Sequence, residues 1–244
     1  MAIPVLMYHN VAEVPDGLHP DGRCLYVTPA AFAAQMALLR RFGWRGVSMS
    51  EAMPYLRGER RGRIAAITFD DGYLDNLENA MPILQRHGFS ATCYIVNGCI
   101  AKHNLWDAAK LGVHKPMMNV EQLHAWRVGG MEIGAHTRTH PHLTQCSDAQ
   151  LQDEIAGGRR ELEDLLGIAV PQFCYPFGDA DARVARVARD AGFVASPTVR
   201  RGRAGRGMDL FMLPRVAIDN ADGLMHFAIR TFTPFEDWRA RKAA

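Results

Sequence analysis

A parallel α/β fold, most economically a closed barrel with its helices outside, is what this chain predicts, and three observations predict it. Apolar runs of strand length alternate with stretches of helical period throughout, with no internal repeat or linker. The polar residues with most chemical promise stand where the predicted strands end, the position that barrel enzymes use for chemistry. A length of 244 residues, 48% of them apolar, suits one large α/β domain spanning 1–244.

Ile3 to Tyr8 reads as the first strand, ending near His9. Residues 10–27 carry Pro15, Gly17, Pro20 and Gly22 and read as loop. Thr28 caps a helix with Pro29 in its first position; Phe32, Met36 and Leu39 form its apolar stripe, and Gly43 stops it. Val47 lies in a second strand, and Ser50 is expected to cap a short helix toward Leu56. Ile64 to Phe69 is a buried strand that ends abruptly in Asp70, Asp71 and Gly72. Leu74, Leu77, Met81 and Leu84 mark a helix up to His87, with Pro82 a point of bending. Residues 91–96 form a strand. Residues 97–118 have weak periodicity and read as a long insertion of the kind that builds lids or walls.

A short helix over 120–128 precedes a strand over 131–134 that delivers His136. Leu151, Ile155, Leu162 and Leu165 mark a long helix after Ser147 that ends at Gly167. Then come a strand over 171–175, a helix over 181–191, a strand over 193–195 and the last strand over 213–218. A terminal helix follows from Asp222.

Net charge is +2 with both signs interspersed, so no nucleic-acid footprint is present. The local basic run Arg200-Arg201-Gly202-Arg203-Ala204-Gly205-Arg206 reads as a mobile solvated loop, with contact to an anionic glycan as the sharper alternative. The five cysteines, Cys24, Cys93, Cys99, Cys146 and Cys174, are odd in number and contain no CxxC pair, which argues against a disulfide framework. No signal peptide is visible at the amino terminus and no apolar run reaches membrane-spanning length. The expectation is therefore a cytoplasmic protein, or a periplasmic or extracellular one if a leader is missing. Oligomeric state is not legible.

Asp70 and Asp71 are neighbours on a strand and can share one site only if the backbone turns there. Two ionised carboxylates so close repel each other, and a metal ion is the simplest resolution. In His136-Thr137-Arg138-Thr139-His140 the histidines are four apart, a spacing that puts both on one face of a helical turn, about 6 Å apart at Cβ. Two imidazoles and a carboxylate make a metal site with open positions, the catalytic kind.

Together, Thr68-Phe69-Asp70-Asp71-Gly72 and His136 to His140 resemble the polysaccharide deacetylase family, the carbohydrate esterases that share a NodB-like domain. Tyr175-Pro176-Phe177-Gly178 sits where that family carries a Pro-aromatic-Gly motif. The resemblance covers roughly residues 60–200. It implies an irregular seven-stranded (β/α) barrel and a hydrolase that removes N-acetyl groups from an N-acetylated sugar or polysaccharide. It implies Asp71, His136 and His140 as metal ligands, with Zn2+ the default and Co2+, Ni2+ or Fe2+ compatible. Asp70 is then the base toward a metal-bound water that attacks the amide carbon.

Where much of the family has a late Leu-x-His motif supplying the acid, this chain reads Leu213-Pro214-Arg215. His9, at the end of the first strand, resembles the acid of the permuted branch of the family; the bland alternative is a hydrogen-bonded wall residue. Cys174 stands where many members place an Arg that orients the base, and Cys cannot donate that charge-assisted bond. Arg215 is expected to reach Asp70 in its stead, or else to pair with a surface carboxylate. Tyr175, Pro176, Phe177 and Gly178 are assigned to substrate binding, with a backbone N–H near Phe177 as an oxyanion donor. Trp106 is a sugar-stacking candidate whose bland reading is an anchor for the insertion. His142 competes with His140 as a ligand. The rival functions are hydrolysis of another small amide (a formamide, a cyclic imide or an acetyl-polyamine) on the same fold, and a non-catalytic carbohydrate-binding relative.

Overall fold

The strands run parallel because each is followed by a crossover that returns the chain to the same end of the sheet. The computed structural model describes residues 2–243. Strand β1 (Val5–Tyr8) is followed by two short strands, β2 (Asn10–Val11) and β3 (Tyr26–Val27), which pair with each other inside the stretch expected to be loop. Helix α1 (Pro29–Arg41) is capped by the Thr28 hydroxyl, which accepts the Ala31 amide. Next are β4 (Arg45–Val47), α2 (Met49–Leu56) and β5 (Ile64–Phe69). The cap of α2 is Ser48, not Ser50: Glu51 at the third helical position reciprocates only with Ser48. Ser50 bonds to Glu132 instead.

Helix α3 (Met81–His87) is entered through a π-helical turn over Asn76–Ala80. Pro82 supplies the reason, since it lacks an N–H and its ring crowds the carbonyl four residues back. Strand β6 (Thr92–Ile95), the insertion with its one-turn α4 (Ala108–Leu111), α5 (Val120–Val128) and β7 (Glu132–Ala135) follow. Helices α6 (Asp148–Leu151) and α7 (Gly158–Leu166) are one continuous rod joined by a π turn over Gln152–Gly157. Then come α8 (Ala182–Asp190), β8 (Pro197–Arg201), β9 (Leu213–Ala217), α9 (Leu224–Phe232) and α10 (Phe235–Ala243). The terminal helix is thus divided in two, at Thr233 and Pro234.

The main sheet has seven strands in the order β7-β6-β5-β1-β9-β8, with β4 pairing along the first half of β5 and β6 along its second half. The stretches 171–175 and 193–195 form only single bridges rather than full strands, Ala135 with Phe173 and Gln172 with Ala195. Those bridges link the β7 edge to the segment that continues into β8, so the sheet curls round into the irregular barrel.

Alternation along the strands sorts the side chains. Leu6, Ile67, Cys93, Ile133 and Val216 join Phe32 and Trp126 in the core beneath the helices. Val5, Ala66, Tyr94, Cys174 and Leu213 belong to the core that fills the barrel. Gly134 is required here, because a Cβ would lie 2.4 Å from the Tyr94 ring. All five cysteines are free thiols. The basic run is tied down rather than free: Arg201 pairs with the buried Glu236, and Arg203 with Asp237 at 2.7 Å, so helix α10 offsets two of its four charges. Among the described residues no helix is long and apolar enough to cross a membrane.

Candidate active site

Strand β5 delivers the carboxylates. The Asp70 amide still donates to Tyr8 O at 3.0 Å, extending the ladder. Asp71 then takes φ 79° and Gly72 φ 92°, and this left-handed step brings both side chains to the same end of the barrel. Such a φ costs a non-glycine residue about 1–3 kcal/mol and is concentrated at functional sites. Both carboxylates are buried.

Arg215 reaches from β9 through the barrel interior to Asp70. Its two Nη atoms donate to the two carboxylate oxygens at 2.7 Å each, while Nε donates to Thr198 O at 2.8 Å. Cys174 Sγ lies 3.8 Å from both Asp70 oxygens and receives Arg215 Nη2–H at 3.2 Å. The thiol is small enough to admit the guanidinium arriving from the other side. Burial pushes the Asp70 pKa up, but the Arg215 charge and fork more than offset it and hold the carboxyl below its usual range. His9 Nε2 lies 3.9 Å from Asp70 Oδ2, partly open to solvent.

His136 and His140 converge on Asp71, with Nε2 atoms 3.5 and 3.4 Å from Asp71 Oδ1. They do so from an irregular loop after β7, not from a helical turn as the spacing suggests. Thr137 at φ 67° and His140 at φ 64° fold that loop back on itself, and the Thr137 hydroxyl accepts the His140 amide. His136 Nδ1 donates to Cys174 O at 2.7 Å, which turns Nε2 toward Asp71. His140 Nδ1 has no hydrogen-bond partner among the described residues. Its ring is held by packing instead: Trp106 stacks on it at 4.3 Å and 25°, and Phe177 meets it edge-on at 4.5 Å. Burial pushes the His140 pKa down, favouring the neutral, ligating form.

These three residues fit a divalent ion. Their donor atoms all lie within 4.8 Å of one another. Metal–ligand bonds of about 2.0–2.1 Å at tetrahedral angles place neighbouring donors about 3.4 Å apart, and the carboxylate-to-imidazole separations match that.

The remaining expectations divide. Trp106 is half-buried against His140 and Tyr73, so it anchors the insertion and borders the site at once. Phe177, at φ 57° and 46% exposed, presents its ring beside His140. Gly178 is needed at φ 67°, where a Cβ would lie 2.3 Å from Val199. The Gly178 and Asp179 amides turn back on Tyr175 O and Pro176 O, and this turn does not use the Phe177 amide. The assignment of the Tyr175 side chain to substrate binding is corrected: it is fully buried, packs on Phe173 and donates its hydroxyl to Phe211 O at 2.9 Å. Pro176 is likewise buried. His142 does not compete for the metal; it stacks on Phe177 at 4.2 Å and faces Asp179 at 3.8 Å.

Tyr73 escaped the sequence reading, and Asp107 entered it only as the polar neighbour of Trp106. Tyr73, buried one turn beyond the Asp pair, has its phenol pushed well up by burial and by the Asp71 charge beside it. Asp107, next to Trp106, is pushed up to about 6 by burial, against the Asn104 amide that donates to it at 2.7 Å. Nothing in the sequence places Asp107 near Asp71, whose charge also raises it.

The polysaccharide deacetylase family model matches residues 57–196, more than half of the chain. Bacillus subtilis (strain 168) YxkH is 27% identical over 218 residues, covering 88% of this chain and 71% of its own length. The chitooligosaccharide deacetylase of Bradyrhizobium sp. (strain ANU 289) is 25% identical over 54% of each chain. Among solved structures, the Streptococcus pyogenes deacetylase PplD, in complex with acetate, superposes with a TM-score of 0.81 at 22% identity, covering 95% of this chain and 98% of that one. IcaB from Ammonifex degensii superposes at 0.78 with 24% identity, covering 94% and 97%.

Proposed function

Because this chain belongs to the polysaccharide deacetylase family, we propose that it is a metal-dependent hydrolase that removes N-acetyl groups from an N-acetylated sugar or polysaccharide. The family is one of deacetylases, so acyl hydrolysis is the activity the kinship carries; the metal and the glycan belong to the proposal. The observation that carries it is the convergence of Asp71, His136 and His140 beside an Asp70 clamped by Arg215.

Asp71 and the two Nε2 atoms would hold the ion. Bound there, a divalent cation supplies Lewis acidity, polarising the acyl oxygen and acidifying water. Asp70 accepts the proton of the attacking water. Arg215 keeps that carboxylate ionised and fixes its orientation. His9, the imidazole nearest Asp70 on the open side, delivers a proton to the departing amine. The Phe177 amide, which its turn does not use, would donate to the oxygen on which negative charge develops. Phe177 and Trp106 flank the opening with apolar faces suited to a sugar ring.

Acetate release from N-acetylglucosamine oligomers, run beside formamides, cyclic imides and acetyl-polyamines, tests the substrate class. Turnover of the oligomers is expected; turnover of small amides alone would refute the glycan assignment. A carbohydrate-binding protein without turnover would show glycan affinity unaffected by Asp70→Asn and no acetate release from the parent protein.

A further inference from the structure

Both histidines of the proposed metal site hang from one short loop, and that loop is not self-supporting, with Thr137 and His140 in left-handed conformations. The peptide groups between the two histidines are occupied by a carboxylate that no reading of the sequence singled out. Glu154 Oε2 accepts the amides of both Arg138 and Thr139 at 2.9 Å, and Glu154 Oε1 accepts the Thr139 hydroxyl at 2.6 Å. Consecutive amides converging on one oxygen form a small anion-binding concavity, here filled from within the protein.

The rod that carries Glu154 is shaped to deliver it. Glu154 lies within the π turn Gln152–Gly157, and such turns recur at functional sites. Gly158 lets the rod approach closely, since a Cβ there would lie 3.3 Å from Arg138 N. From the opposite side, the amides of Asn97 and Gly98 donate to Thr137 O and Arg138 O at 3.2 and 2.8 Å. The loop is therefore gripped from both flanks, and among the described residues Glu154 supplies the carboxylate that bonds its backbone.

We propose that Glu154 is a positioning residue for the metal site: its carboxylate pins the 136–140 backbone so that both imidazoles face Asp71. This rests on the metal-site reading above. It touches neither metal nor substrate, so its removal weakens metal binding first, and the rate falls only through metal loss.

Metal-stripped wild type, Glu154→Ala, Glu154→Gln and Asp153→Asn are reloaded with Zn2+, and Kd is measured by competition with a chromogenic chelator. Apo-protein melting is recorded alongside. Glu154→Ala is expected to weaken Zn2+ by about ten- to a hundredfold. Glu154→Gln, which keeps one acceptor oxygen for the two amides, is expected to weaken it less. Asp153→Asn, which loses only an exposed ion pair with Arg138, is expected to bind as wild type. At saturating Zn2+ the kcat of Glu154→Gln recovers with KM unchanged. If Glu154→Ala does not fold, Glu154→Gln decides. Glu154 variants that melt lower as apo-proteins yet bind Zn2+ as tightly as wild type would make the residue a fold anchor and overturn this proposal alone. A wild type that binds no Zn2+ at Asp71, His136 and His140 would overturn the metal reading and this proposal with it.

Discussion

Asp70 is pulled in opposite directions by the two strongest effects available to a carboxylate, burial and a guanidinium fork, and the fork prevails. Asp70→Asn keeps the shape but cannot accept a proton; turnover is expected to fall by about 10²–10⁴-fold while metal analysis still finds one ion per chain. Arg215→Gln removes the charge that offsets burial. The Asp70 pKa then rises, so the acid limb of the kcat/KM profile moves to higher pH, by about one unit or more. An unshifted limb would show that another group sets it. Breaking this buried pair also costs about 3–5 kcal/mol of stability, so the profile is to be recorded below the variant's melting range. Asp107 gives the opposite sign. Its folded pKa of about 6 exceeds the ordinary 3.8, so the folded chain holds the proton more tightly and stability is lost as pH rises between those values. Asp107→Asn, which keeps an acceptor for Asn104, is expected to raise Tm near pH 8 by about 2–4 °C and leave it unchanged near pH 4.

At the scale of elements, legibility tracked how local the cause was. The Asp-Asp-Gly strand end, the Thr28 cap and the helix after Ser147 were readable because each is decided within a few residues. Arg215 at the end of Leu-Pro-Arg was readable as a partner for Asp70 because the position left empty by Cys174 needed filling. The conformation of the His136–His140 loop was not. Spacing of four serves a helix equally well, and the deciding contacts come from Asn97, Gly98 and Glu154, distant in sequence. Tyr175 was misread for a similar reason, since the face on which a side chain emerges depends on bridges to Ala135 and Ala195 that no local pattern encodes. The Pro176–Gly178 turn gives this scale its prediction. Gly178→Ala would place a methyl against Val199 at a φ only glycine adopts freely. A loss of about 1–3 kcal/mol in chemical denaturation is expected, together with a lower kcat as Phe177 moves off His140.

At the scale of the molecule, the three candidate ligands come from two β–α junctions, the first after β5 and the second after β7. A bound ion would therefore tie the two rim loops that flank β6 together, and stability should rise with metal by mass action, about 2.7 kcal/mol at a hundredfold excess over Kd. Calorimetric melts across a Zn2+ titration check this; a Tm that ignores the ion would mean that the folded chain does not bind it in preference to the unfolded one. The rim is also uneven. Between β7 and β8 the wall is stitched by isolated bridges at Phe173 and Ala195, whereas β1 and β5 share a four-residue register. That seam is where the cylinder yields first. Deuterium uptake followed by mass spectrometry should find amides 172–175 opening ahead of those in β1 and β5. Since Pro176 to Gly178 follow directly on this seam, any loosening there would reach the exposed Phe177 ring before the β5 end that carries the aspartates.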